Sequence, residues 1–175
     1  MAKKPKGPVK LPDAHKLFIH AEAFRFTREL LRKEVMDGNE CYWCAFLAND
    51  AFCCELFLKC LLAVRSNEHP REHKLNILFN ALPSQDQDSV EQHYKRLSAG
   101  DTKHGNAGEK SPSKSNELRD FLADGADVFE LIRYWYESPF PDRRGDFHYP
   151  ILAIRATILE IRPDWKLQSE RWIKT

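Results

Sequence analysis

ECYWCAFLANDAFCCELFLKCLLAVRS, residues Glu40–Ser66, decides the fold. It contains neither glycine nor proline and is apolar on nearly every side. A helix that is hydrophobic all round sits in the middle of a folded unit. Asn49, Asp50, Glu55 and Lys59 interrupt it too often for a membrane span. The stretch therefore reads as the central helix of a soluble helical bundle. Its charged residues are the informative ones, because charges on a buried helix need partners. Glu55 and Lys59 are four residues apart and can pair along one face. In purely structural terms that pair is a polar seam between neighbouring helices.

All five cysteines fall between Cys41 and Cys60. Side chains on one helix step around its axis and make poor disulfide partners, so buried reduced thiols are expected. Cys41-x-x-Cys44 resembles half a zinc site, but no second Cys or His pair follows at ligand spacing. Neither a metal nor a cofactor is expected.

Toward the N-terminus, Asp13 is an N-cap for a first helix over Asp13–Asp37, stopped by Gly38-Asn39. Leu17, Ala21, Phe24, Leu31 and Val35 line one stripe of it. Ile19, Ala23, Phe26 and Leu30 widen that stripe, so this helix too is expected to bury much of its surface. Residues 1–12 hold four lysines, three prolines and no acid, and read as a disordered, solubilising basic tail.

Toward the C-terminus, Leu75, Leu78, Phe79 and Leu82 predict a short amphipathic helix ended by Pro83. Ser84-x-x-Gln87 reads as a capping box opening a fourth, mostly polar helix to about Leu97. Its apolar line is Val90, Tyr94 and Leu97, and it belongs on the outside. Residues 99–114 read as a mobile loop, with lysines and glycines but no Walker spacing. A fifth helix, capped by Ser115, carries a 3.6-residue period from Leu118 to Tyr136 and breaks at Pro139. A last helix is expected over Tyr149–Arg162, with Pro150 in its first turn. Residues 164–175 form a tail whose Trp165 and Trp172 cover remaining apolar surface.

No stretch alternates as a strand would. The expected fold class is all-α: a bundle of five to six helices, residues 13–163, in one domain. With 175 residues there is enough chain for a real core. A net charge of +1 supplies no global field toward nucleic acid or membrane, so any nucleic-acid contact must come from a local patch. No signal segment is evident, which makes the expected location cytoplasmic.

Three places could carry chemistry. Arg143 and His148 are separated by four residues in RRGDFH. An arginine can neutralise a phosphate, and a histidine can move the proton of a ribose 2′-hydroxyl or of a leaving 5′-oxygen. The bland alternative is an exposed polar connector. His69-Pro70-Arg71-Glu72-His73 fits a zinc-peptidase pattern literally, but a proline at a helix boundary and the lack of a third ligand exclude it. Glu55, Lys59, His73 and Arg133 could meet in one polar seam, as a register-fixing ion network or as the lining of a pocket.

ELFLKCLLA (55–63), followed by HKLNILFNALP (73–83), resembles the HEPN superfamily, the higher eukaryotes and prokaryotes nucleotide-binding domain. FELIRYWYE (129–137) is similar to an aromatic-rich helix found late in several of these domains. The resemblance implies a HEPN-like helical bundle, commonly a homodimer. Many members are metal-independent ribonucleases of toxin–antitoxin or other defence systems, and carry an Arg and a His separated by four to six residues. Arg143 and His148 match that spacing, with Arg144 where a polar Asn, Asp or His is usual. On that basis Arg143 holds a phosphate, His148 acts as general acid or base, and Arg144 adds charge to bind RNA. Other members lack the motif and bind a nucleotide or a protein partner, such as an antitoxin or a nucleotidyltransferase. There the Glu55, Lys59, His73 and Arg133 seam would be the residues of interest.

Overall fold

The computed structural model describes residues 13–66, 71–101, 118–126, 128, 132 and 146–166. Among them there is no strand. The elements run α1 (Ala14–Met36), a 3-10 turn η1 (Glu40–Tyr42), α2 (Trp43–Ser66), α3 (Leu75–Asn80) and α4 (Ser84–Asp101). They are followed by α5 (Leu118–Asp124), α6 (His148–Ile161) and a second 3-10 turn, η2 (Pro163–Trp165).

The ends of α1 follow from local chemistry. The Asp13 carboxylate accepts the backbone N–H groups of His15 at 3.1 Å and Lys16 at 3.3 Å, satisfying two donors that lack helical partners. At the other end the amides of Asp37, Gly38 and Asn39 return to carbonyls of the last turn. Gly38 takes φ +93, where an L side chain is strained.

The middle of the molecule is α2, and every residue from Cys53 to Ala63 is buried. α1 packs along it, and α6 packs on both α2 and α4. α3 lies between α2 and α5. Cys53, Cys54 and Cys60 are buried free thiols, and burial raises the pKa of all three. Cys53 and Cys60 donate to the carbonyls of Ala21 and Ala14 on α1. No helix among the described residues is long and apolar enough to cross a membrane.

Several expectations change. The second apolar line of α1 is covered only in part: Ile19 and Phe26 are half-buried, whereas Ala23 is exposed and Leu30 is 70% exposed. The Ser84–Gln87 capping box does not form. The Gln87 amide instead donates to the carbonyls of Asn80 (3.3 Å) and Leu82 (2.7 Å), closing the end of α3. α4 runs to Asp101, beyond the expected Leu97, and takes in the first residues of the expected loop. α5 stops at Asp124, and Gly125-Ala126 form a turn. The Phe147 ring packs against this turn so closely that a Cβ on Gly125 would lie 2.5 Å from it, and the backbone is helical again at Val128 and Ile132. The last helix begins one residue early, at His148. Trp165 is buried against the rings of His15 and Phe18, at centroid distances of 5.2 Å each. The basic tail 1–12, residues 102–114, Ser115 and Trp172 lie outside the described residues.

Candidate functional site

His148 stands at the first position of α6, its side chain about one-third exposed. Arg143 and Arg144, the phosphate-binding candidates, lie outside the described residues. The surroundings of His148 come instead from α1 and α2. Arg28 of α1 is buried and reaches four partners: Asp50 of α2, Asp146, Glu29 and the His148 ring. Its Nη1 lies 2.7 Å from Glu29 Oε1 and 3.2 Å from His148 Nδ1. Arg32, one turn on, reaches Asp146 at 3.3 Å.

Asp50 is fully buried. One oxygen takes Arg28 Nε, and the other accepts the backbone N–H of Phe147 at 2.7 Å. Asp146 accepts Arg28 and the backbone N–H of His148, the latter at 2.9 Å. The start of α6 is thus held onto α1 and α2 by charged groups, while Phe147 fills the core beside Phe121 and Gly125. Further along, Arg155 of α6 donates to the buried Glu22 of α1 at 2.6 Å, a second clamp between the same helices.

The charges follow from these contacts. Burial disfavours the Arg28 cation, but Asp50 and Asp146 outweigh it and hold its pKa above the ordinary arginine value. Burial pushes the Asp50 carboxyl up to about 7, against the pull of Arg28 and the Phe147 amide. Burial and then the Arg28 charge lower the His148 pKa, and Asp146 and Glu29 offset this only in part.

A second cluster sits farther along α2. Glu55, nearly buried, accepts Lys59 Nζ at 2.7 Å and His73 Nδ1 at 3.0 Å through the same oxygen, Oε1. His73 lies just before α3, and its side chain is 66% exposed. Glu72 accepts the backbone N–H groups of His73 and Lys74, which fixes that bend. Glu55, Lys59 and His73 therefore come together, while Arg133 lies outside the described residues. His73 Nδ1 faces a carboxylate, whereas His148 Nδ1 faces an arginine.

Arg28 and Asp146 were not among the residues singled out from the sequence, and Asp50 was marked only as a charge on the buried helix that needs a partner. The signal was present in the first helix. Its stripe Leu17, Ala21, Phe24, Leu31, Val35 steps by three and four except between Phe24 and Leu31, and Arg28 fills that gap. A charge in a core register on one helix and Asp50 inside the apolar run of the next are matching anomalies.

No family model, curated protein or solved structure matches this chain.

Proposed function

We propose that this is a HEPN-like protein that cleaves RNA without a metal, working as a homodimer in a toxin–antitoxin or other defence setting. Cleavage joins the ribose 2′-oxygen to the adjacent phosphorus and releases the 5′-oxygen. Arg143 holds the phosphate, Arg144 adds positive charge, and His148 presents its imidazole to the reacting ribose–phosphate. The observation that supports this reading is the anchoring of His148. A partly exposed imidazole whose neighbours are clamped by two buried charges has the preorganisation that a reacting site needs. RNA cleavage in EDTA by wild type, His148→Ala and Arg143→Ala tests it. Wild type should cleave, and each variant should lose about a hundredfold or more while keeping its helical circular dichroism signal. Equal activity in all three would remove these residues from the site.

The cluster of Glu55, Lys59 and His73 favours a second reading, a non-catalytic HEPN-like module that binds a nucleotide or a protein partner. A nearly buried carboxylate holding a cation and an exposed imidazole can serve as the wall of a binding pocket. Absence of cleavage by all three proteins would favour this module.

A further inference from the structure

An arginine has only donors. Arg28 Nη1, 3.2 Å from His148 Nδ1, therefore makes that nitrogen an acceptor and places the ring proton on Nε2. On the reading of His148 as part of an RNA-cleaving site, we propose that Arg28 is a positioning residue holding His148 as a neutral imidazole. Its Nε2–H then donates a hydrogen bond to a phosphate oxygen of RNA and transfers no proton; water takes the 2′-hydroxyl proton and supplies one to the leaving 5′-oxygen.

Among the described residues, the charged groups facing the ring are Arg28, Glu29 and Arg32 from α1 and Asp146 beside it. Asp50 of α2 acts through Arg28. Either carboxylate could in principle support an imidazolium, but both are engaged elsewhere. Glu29 Oε1 is 3.7 Å from Nδ1 and only 2.7 Å from Arg28. Asp146 takes Arg28, Arg32 and the His148 backbone N–H. Among the described residues, the charged side-chain atom within hydrogen-bond distance of the ring belongs to a cation. Protonating Nδ1 would set two positive N–H groups against each other at 3.2 Å, beside a half-buried ring. Arg28 cannot simply swing aside, because Asp50 and Asp146 grip it and Asp50 also holds the Phe147 amide. Using Nδ1 as a base would likewise require breaking the Arg28 contact. What remains available is an Nε2–H donor, and a fixed neutral imidazole donor stabilises charge developing on an oxygen.

The test is nitrogen-15 NMR of the histidine rings in the wild-type protein, with RNA cleavage in EDTA alongside. The His148 spectrum should show a proton on Nε2, a bare Nδ1, and a titration midpoint below the ordinary imidazole value. Arg28→Lys should raise the titration midpoint of His148 and admit the Nδ1–H tautomer. An Nδ1–H tautomer in the wild type, or a midpoint at or above the ordinary imidazole value, overturns the assignment even if Arg28→Lys fails to fold. In the cleavage assay His148→Asn retains an N–H donor that does not titrate. It should stay within about tenfold of wild type, while His148→Ala falls about a hundredfold. Equal losses in the two overturn the donor role. A wild type that leaves RNA intact removes the RNA reading and the donor role with it, while the spectra still decide the assignment of Arg28.

Discussion

Asp50 carries an ionisable group into a part of α2 where its neighbours are mostly apolar. In an unfolded chain its carboxyl titrates near the ordinary aspartate value. In the folded protein burial raises it to about 7. A raised folded pKa means that the native state binds the extra proton between those limits. The stability contributed by Asp50 is therefore fully present below the unfolded pKa and is lost as pH rises through about 7. The slope is at most about 1.4 kcal/mol per pH unit. Thermal unfolding of wild type and Asp50→Asn across pH 5 to 8 should show the wild-type advantage shrinking as pH rises. An advantage that is constant, or that grows with pH, would mean Asp50 is charged throughout. Single residues were also where the sequence was hardest to read. Arg28 occupies a core position on a helix whose other core residues are apolar, and periodicity alone discounts such a residue. Only the arrival of Asp50 from α2 and Asp146 from beside α6 shows why it is there.

Among the elements, α2 was legible because no helix face of it is polar. From Cys53 to Ala63 no residue is solvent-exposed, as an all-round apolar helix requires. Leu58 is fully buried there. Leu58→Ala should destabilise by roughly 2–5 kcal/mol, read from the denaturant midpoint at unchanged m-value. An unmoved midpoint would place α2 outside the core. The helices read less accurately are those whose limits depend on another element. α5 shows an unbroken 3.6-residue period through Gly125, yet it ends at Asp124 in a turn at Gly125-Ala126, where the Phe147 ring from a distant segment occupies the space a side chain would need. The Ser84–Gln87 pattern matched a capping box, but Gln87 found two free carbonyls at the end of α3. A local motif cannot foresee a competing acceptor supplied from a neighbouring element.

For the whole molecule, the bundle closes at the chain's far end. Trp165 lies outside the limits expected for the helical domain, yet it is 2% exposed and packs on His15 and Phe18 at the start of α1. Trp165→Ala should cost about 3–5 kcal/mol, lowering the thermal midpoint in one cooperative transition. A change of less than about 1 kcal/mol would mean that η2 is an appendage rather than part of the core. The same distinction separates what each level of information determined. The sequence by itself determined an all-α bundle, the central place of α2, the caps of α1 and the i,i+4 pairing of Glu55 with Lys59. Each of these follows from hydrophobic period or from chemistry within a few residues. Tertiary structure alone decided that the start of α6 is clamped by Arg28 and Asp50, that His148 meets an arginine while His73 meets a carboxylate, and that Ala23 and Leu30 of α1 stay exposed. The physical reason is distance along the chain. Arg28 and His148 are 120 residues apart, and the preference of an ion or a tautomer depends on which partner arrives, which no local pattern encodes.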